Sequence, residues 1–175
     1  MSDRIAPHLR RLRVKDAPRM LEWMQNKNVV EYLHADFQHK TLQDCQQFIQ
    51  NSLQTRQDLH LAVTDAANTY MGTVSLKSID QKAGMAEFGI CMHPDGMGKG
   101  LAKAAMAEIL LYGSQLLSVG KVYWCVSPHN NRANRFYQKN GYKMTNTVPE
   151  QIRCRYQEFP DDLIWYFAGQ ETDTI

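Results

Sequence analysis

The chain has few of the features that mark a membrane, metal-binding or secreted protein. Its four cysteines lie far apart, no C-x-x-C pair occurs, and no histidine stands at a zinc-ligand spacing. No apolar run approaches the roughly 18 residues that a membrane-spanning helix needs, and the N-terminal segment contains no apolar signal sequence. These absences predict a cytoplasmic protein with reduced thiols, no bound metal and no membrane association.

Charge of one sign is also scarce. The formal net charge is only +2, and the basic residues are dispersed among acidic ones, which argues against a nucleic-acid-binding protein. A length of 175 residues with 43% hydrophobic residues is enough for one well-buried core and too little for two ordinary ones. We therefore expect one domain over residues 1–175, which must meet any anionic ligand through a local site.

Hydrophobic spacing and capping residues predict the element order β-α-α-β-β-β-α-β-α-β. Asp16 and Pro18 mark the start of the first helix, and "TLQD" (41–44) is typical of a capping box at the start of the second. Three β-rich runs with short connections then predict an antiparallel meander. The predicted strands are 9–14, 59–65, 69–80, 85–94, 121–127 and 163–168, and the later helices are 101–118 and 130–141.

The segment "HPDGMGKGLAKAAMAEIL" (93–110) places three of the ten glycines between a predicted strand and a predicted helix. Such a junction presents backbone amides and the positive end of a helix dipole, which together favour a phosphate. The alternative is a tight turn in which Gly96, Gly98 and Gly100 only allow the chain to reverse. Neither a P-loop nor a dinucleotide fingerprint is present, because Ser or Thr does not follow Lys99 and Lys103 stands where a third glycine is needed.

"MGKGLA" (97–102) resembles the acyl-CoA loop Q/R-x-x-G-x-G/A of the GNAT acetyltransferase superfamily, with Gly100 and Ala102 in the required places. Met97 departs from it, since Gln or Arg is usual there. A second segment, "HNNRANRFYQKNGY" (129–142), is similar to the family's later motif N-x-x-A/S-x-x-x-F/Y-x-K-x-G-F/Y. The matching positions are Asn130, Ala133, Tyr137, Lys139, Gly141 and Tyr142.

The resemblance implies a mixed α+β fold. Its sheet is mostly antiparallel, with about six to seven strands and helices on both faces, and is split between the fourth and fifth predicted strands. Acetyl-CoA, as co-substrate, is expected in the split, with Met97 and Asn130 beside it and Lys99, Lys103 and Arg135 either meeting phosphate or simply solvated. The backbone of Ile90, Cys91 and Met92 is expected to pair with the pantetheine arm, and the amides of Gly98, Lys99, Gly100, Leu101 and Ala102 to hold the pyrophosphate.

Two residues are candidates for proton transfer. Glu87 shares a strand face with Gly89, whose missing side chain leaves space, so its carboxylate is either the base for the acceptor amine or part of a structural network. Tyr137 matches the family's general acid for the CoA thiolate. Its spacing with Ala133 and Phe136 also suits a core tyrosine on a helix face, but the motif register favours the catalytic role.

The resemblance assigns acceptor binding to residues 26–40 and 155–162, which mix the aromatics Tyr32, Phe37, Tyr156 and Phe159 with the carboxylates Glu31, Asp36, Glu158, Asp161 and Asp162. The subgroup of closest likeness contains ribosomal-protein N-terminal, spermidine and aminosugar acetyltransferases, and homodimers are common in it. We expect a small-molecule primary amine as partner, with an aminosugar favoured. A protein N-terminus or a polyamine is the alternative, a non-catalytic acyl-CoA sensor is an alternative of another class, and a homodimer is a possible assembly.

Overall fold

The computed structural model describes residues 3–159 and 162–169 and contains one eight-stranded sheet among them. The strand order is β1-β2-β3-β4-β5-β6-β8-β7, and only β5 and β6 pair in parallel. The strands are β1 (Arg4–Ala6), β2 (Leu9–Arg11), β3 (Leu59–Thr64), β4 (Tyr70–Asp80), β5 (Met85–Met92), β6 (Lys121–Val126), β7 (Lys143–Met144) and β8 (Ile164–Gly169).

Four of the helices that connect the strands lie at the predicted places, and two short ones, the second and the sixth, were not predicted. They are α1 (Ala17–Met24), α2 (Lys27–Val30), α3 (Leu42–Ser52), α4 (Leu101–Leu116), α5 (Asn131–Lys139) and α6 (Glu150–Arg153). The predicted capping box is confirmed, because the Thr41 side chain accepts from the Asp44 amide while Asp44 accepts from the Thr41 amide at the start of α3. Within the described part of the chain, no helix has the length and apolar character to cross a membrane.

The sheet has eight strands, more than the six to seven expected, because the short strands β1 and β7 were not predicted. The predicted strand 9–14 is only β2, since the chain turns at Val14–Asp16 into α1, and β1 pairs with β2 as a small hairpin. Strand β7 has two residues, and α6 lies in the connection that was expected to be irregular. Runs of two or three residues carry too little periodicity to be found from sequence.

The residues of β3 divide the core between the two faces of the sheet. Leu61 and Val63 pack in an apolar cluster with α4, whereas Ala62, between them, packs in a second cluster with α1 and α3. Since side chains alternate across a strand, the helices cover opposite faces of the sheet, as predicted. The mixed α+β fold is confirmed.

Strands β5 and β6 separate partway along their length. They pair from Met85↔Lys121 to Glu87↔Tyr123 and no further, although β5 stays paired with β4 up to Met92↔Gly72. The backbone of β5 beyond Glu87 therefore has a sheet neighbour on one side only. The predicted split between the fourth and fifth predicted strands, here β5 and β6, is confirmed.

Candidate active site

A cleft of about 810 Å³ opens where β5 and β6 separate. Its walls come from the end of β5, the glycine loop, the start of α4 and one side of α5. The predicted cofactor residues that line it are Ile90, Cys91, Met92, Met97, Gly98, Gly100, Ala102, Asn130 and Tyr137. Lys99 and Leu101 do not line it; both line a separate hollow, and Leu101 is buried in the core, so only their backbone amides remain candidates for the cleft.

The glycines of the loop serve two purposes. Gly98 and Gly100 have φ values of 74° and 75°, in the left-handed region, and no heavy atom lies within 4 Å of where a Cβ would stand on either. At Gly96 a Cβ would lie 2.9 Å from Met71 Cβ, so this glycine allows close packing of the turn. Because the open glycines precede the 16-residue helix α4 and line the cleft, the loop fits a phosphate group held by amides.

Charged side chains anchor the loop to α1. Arg19 donates from Nη2 to Asp95 Oδ2 at 3.0 Å and from Nε to the Tyr70 carbonyl at 2.8 Å. His93, which is buried, lies with Nε2 2.7 Å from Glu22 Oε2 and accepts from the Asp95 amide at Nδ1. The turn before the glycines is therefore held to α1 by two contacts, and Arg19 also ties α1 to β4.

The second motif forms α5 on the opposite wall. Asn130 caps the helix by accepting from the Ala133 amide at 3.1 Å, and Gly141 ends it with a φ of 82°. Arg132, which the sequence analysis did not select, lines the cleft, whereas Arg135 does not. Arg132 stands two residues after the capping Asn130, in the first turn of α5. This position was a usable signal that a cation could lie beside the cleft.

Tyr137 lies in the last turn of α5, among aromatic rings. Its ring centroid is 5.2 Å from that of Trp124 and 5.1 Å from that of Tyr166, and only 6% of the residue is exposed. Burial raises the pKa of Tyr137 well above its ordinary value, so the phenol holds its proton throughout the neutral range. The residue is thus both a core tyrosine and part of the cleft wall; the two roles considered from sequence are compatible.

Glu87 is buried and surrounded by donors. Its carboxylate accepts from Lys77 Nζ at 2.9 Å, from Arg155 Nη1 at 3.0 Å and from the Tyr156 hydroxyl. Burial and the nearby Glu87 raise the pKa of Tyr156, which keeps this donor protonated. These contacts fit the structural network considered for Glu87 at least as well as the role of a base, which stays a prediction.

The two stretches expected to bind the acceptor come together. The His34 ring lies 4.3 Å from that of Phe159 and 5.7 Å from that of Tyr156, centroid to centroid. Tyr32 also lines the CoA cleft. Asp161, named with these stretches, lies outside the described residues.

A second cavity of about 500 Å³ adjoins the cleft, since Ile90 and Cys91 line both. It lies between the sheet and the helices α1 and α3. Aromatic rings and polar side chains line it, among them Trp23, Phe37, Phe48, Asp44, His60 and Ser75. His60 and Ser75 were not predicted as site residues, because only strand pairing brings them to the same place as β5.

Elsewhere in the described residues, no group of three or more His, Cys, Asp or Glu side chains has the geometry to hold a metal ion. The groups identified along the two cavities are backbone amides, a protonated phenol and the polar side chains named above.

Residues 8–143 match the sequence profile of the acetyltransferase (GNAT) domain family. Since the match covers most of the chain, the protein belongs to this family, and the resemblance seen in the two motifs is confirmed. Acetyl-CoA-dependent N-acetyl transfer is the activity of the class, and acetyl-CoA is its co-substrate. The left-handed glycines and the one-sided edge of β5 fit that co-substrate.

Among curated relatives, the chain is similar to the spermidine N(1)-acetyltransferase of Vibrio cholerae, with 25% identity over 135 residues, covering 76% of this chain and 78% of the relative. The spermidine N(1)-acetyltransferase of Escherichia coli is 36% identical over a shorter stretch of 81 residues, which covers 46% of this chain and 44% of the relative.

Solved structures show the same fold. The spermidine N-acetyltransferase of Vibrio cholerae in complex with CoA and spermine aligns with a TM-score of 0.75 at 22% identity, covering 91% of this chain and 92% of that one. The microcin C7 self-immunity acetyltransferase MccE, in complex with acetyl-CoA and AMP, aligns with a TM-score of 0.76 at 16% identity, covering 97% and 98%.

Proposed function

We propose that the chain transfers the acetyl group of acetyl-CoA to a primary amine of a polyamine. The observation that carries the proposal is the junction of the two cavities at Ile90 and Cys91, since it lets a thioester and an amine enter from different sides and meet. Such a layout suits direct attack within a ternary complex rather than an acetylated enzyme.

The lining of the second cavity supports an extended alkyl amine. The rings of Trp23, Phe37 and Phe48 provide apolar contact for methylene groups and π-faces for an ammonium group, and Asp44 adds a carboxylate. The names of the Vibrio cholerae and Escherichia coli relatives point to the same acceptor class. They support the polyamine alternative rather than the aminosugar favoured from sequence.

Within this proposal most of the predicted cofactor residues and Tyr137 have a task. Backbone amides from Gly98 to Ala102 bind the pyrophosphate, with Arg132 and Lys103 adding charge at the cleft wall. The edge of β5 at Ile90 to Met92 aligns the pantetheine arm. Tyr137 donates its proton to the departing sulfur, which avoids release of a free thiolate.

Self-association also enters as a proposal. One structure of the Vibrio cholerae spermidine N-acetyltransferase, with a TM-score of 0.70 at 22% identity, is described as dodecameric. This supports an oligomer of the present chain, of which the homodimer expected from sequence is the smallest.

The test is thiol release from acetyl-CoA with a panel of acceptors: spermidine, spermine, aminosugar nucleotides and peptides with free N-termini. We expect release with the polyamines at a kcat/KM at least tenfold above that for the other classes. Preference for an aminosugar nucleotide or a peptide would overturn the polyamine assignment. Release with none of them, while acetyl-CoA still raises the melting temperature, would favour a binding module instead.

A further inference from the structure

Three polar side chains form a chain at the wall of the second cavity. His60 Nδ1 lies 2.7 Å from Ser75 Oγ, and His60 Nε2 lies 3.9 Å from the carboxylate of Asp58. Asp58 is itself positioned by the Ser78 amide, which donates to its other oxygen at 2.7 Å. The order carboxylate, imidazole, hydroxyl therefore runs from the surface toward the cavity.

The hydroxyl end of this chain lies at the cavity through which the amine is proposed to enter. Ser75 on β4 is paired with Gly89 on β5, and both line the second cavity. Gly89 adds no side chain there; the nearest side chain to it is that of Lys77, whose Cε would lie 3.5 Å from a Cβ at this position. An amine that reaches the edge of β5 at Cys91 through this cavity passes beside the Ser75 hydroxyl.

The surroundings of His60 keep its imidazole able to take up a proton. The ring packs edge-on against Phe48, at 4.9 Å between centroids, and burial lowers the pKa of His60 below its ordinary value of 6.5. At neutral pH the ring is neutral, so Nδ1 accepts from Ser75 while Nε2 carries its hydrogen toward Asp58.

We propose that Ser75 and His60 relay a proton away from the acceptor ammonium group before it attacks the thioester. This rests on the amine transfer proposed above. The ammonium nitrogen gives one proton to Ser75 Oγ as the Ser75 hydrogen moves to His60 Nδ1, and Asp58 faces the imidazolium that forms. The freed lone pair bonds to the thioester carbon, the C–S bond breaks, and sulfur takes the Tyr137 proton. The nitrogen's second proton restores Tyr137, and His60 returns its proton to solvent.

Glu87 is the competing proton acceptor. Its carboxylate already accepts from three side chains, and it does not line either cavity in the described residues, whereas His60 and Ser75 line the one beside β5. A proton on Glu87 would neutralise the carboxylate that faces both Lys77 and Arg155, leaving two cations beside an uncharged group. The geometry therefore favours the relay through Ser75.

Other ionisable groups around His60 enter its titration. Asp58 raises the pKa of His60, and Lys77 on β4 lowers it. The ionisable groups that line the same cavity with His60 and Lys77 are Lys40, Asp44, Cys45 and Cys91.

The experiment measures kcat and KM against pH for the wild type and for His60→Asn, Ser75→Ala and Ser75→Thr. Asparagine can place an oxygen near the position of Nδ1 and keep the hydrogen bond from Ser75, but it cannot hold a proton. We expect His60→Asn and Ser75→Ala to lower kcat at pH 7 by roughly 10²-fold, with KM for acetyl-CoA unchanged and Ser75→Thr retaining most of the activity.

The pH dependence separates a relay from a structural role. Without the relay, transfer depends on amine that is already neutral in solution, and this fraction rises roughly tenfold per pH unit from pH 7 to 9. The loss of kcat in the variants, relative to the wild type, should therefore shrink by the same factor. A deficit that is the same at every pH, or a His60→Asn variant within twofold of the wild type, would overturn the relay. So would the same pH-dependent deficit appearing in Glu87→Gln and not in His60→Asn.

His8→Asn is the matched control, because His8 Nδ1 lies 2.7 Å from Glu108 Oε1, away from both cavities. Its kcat should equal that of the wild type. The amine used is the best wild-type acceptor. If that is not a polyamine, the polyamine assignment fails, while the relay is still tested with the amine that reacts.

Discussion

At the scale of single residues, the predicted general acid is a phenol that is hard to ionise. The hydroxyl of Tyr137 belongs to a ring packed against Trp124 and Tyr166, and burial raises its pKa above the ordinary value of 10.0. A raised pKa means that the proton stays in place across the neutral range. It also means that the group is a weak acid in the resting protein, so we expect its proton to move only as the sulfur departs beside it.

Tyr137→Phe should therefore lower kcat roughly 10²-fold while leaving the affinity for acetyl-CoA within about threefold, since phenylalanine keeps the ring packing and loses only the acid. The rate of thiol release measures kcat, and calorimetric titration measures the affinity for acetyl-CoA. Tyr142→Phe is the control: its ring packs on the same Trp124, at 5.4 Å, but does not line the cleft. Unchanged turnover in Tyr137→Phe would return Tyr137 to a purely structural role.

At the scale of elements, the site depends on the junction of β5, the glycine loop and α4. The turn is anchored by Arg19 and His93, and Gly98 and Gly100 then take left-handed conformations on the cleft side. Arg19 and His93 fix the start of the loop, and the open glycines Gly98 and Gly100 form its end. We therefore expect the amides of the first turn of α4 to be available to one anionic group in the cleft.

Gly100→Val should weaken acetyl-CoA binding at least tenfold, because a branched side chain at a φ of 75° strains the loop and occupies space that the ligand needs. Fluorescence or calorimetric titration with CoA measures the loss. Gly84→Val separates strain from obstruction: Gly84 has a φ of 67° and lies in the β4–β5 turn, away from the cleft. Equal loss of affinity in both variants would show that the loop glycines act through stability alone.

At the scale of the whole molecule, the sheet is in two parts that meet at a short parallel ladder. The first part, β1 to β5, leads into the glycine loop and contains Ile90 and Cys91, which line both cavities. In the second part, β6 and β8 pack against Tyr137 of α5. A ligand in the cleft contacts both parts. Its binding energy therefore adds to the stability of the folded state.

Acetyl-CoA at about 100 times its Kd should raise the free energy of unfolding by about 2.7 kcal/mol, which corresponds to roughly 5–11 °C in Tm for a chain of this size. Thermal scans at increasing acetyl-CoA measure it. At the same concentration Gly100→Val, whose binding is at least tenfold weaker, should show at most about half of that rise. A full rise in that variant would mean that the ligand binds away from the loop.

The local features were predictable because their causes are local. The capping box at Thr41 and Asp44, the cap at Asn130 and the left-handed Gly141 are each set by a few neighbouring residues. The two motifs likewise identified the family and most of the cleft, since the ligand contacts they supply come from single stretches of chain. Strands of two or three residues, such as β7, were missed because they exist only through pairing.

The fold class, the family and the position of the glycine loop follow from short segments, because periodicity, caps and a glycine pattern are encoded within them. What surrounds Glu87 and what stands opposite Gly89 could be learned from the folded chain alone. Lys77 and Arg155 reach one carboxylate from distant segments, and His60 meets Ser75 through the register of β3 with β4. Such contacts depend on how whole strands align, and the free energy that sets this alignment is spread over the entire sheet.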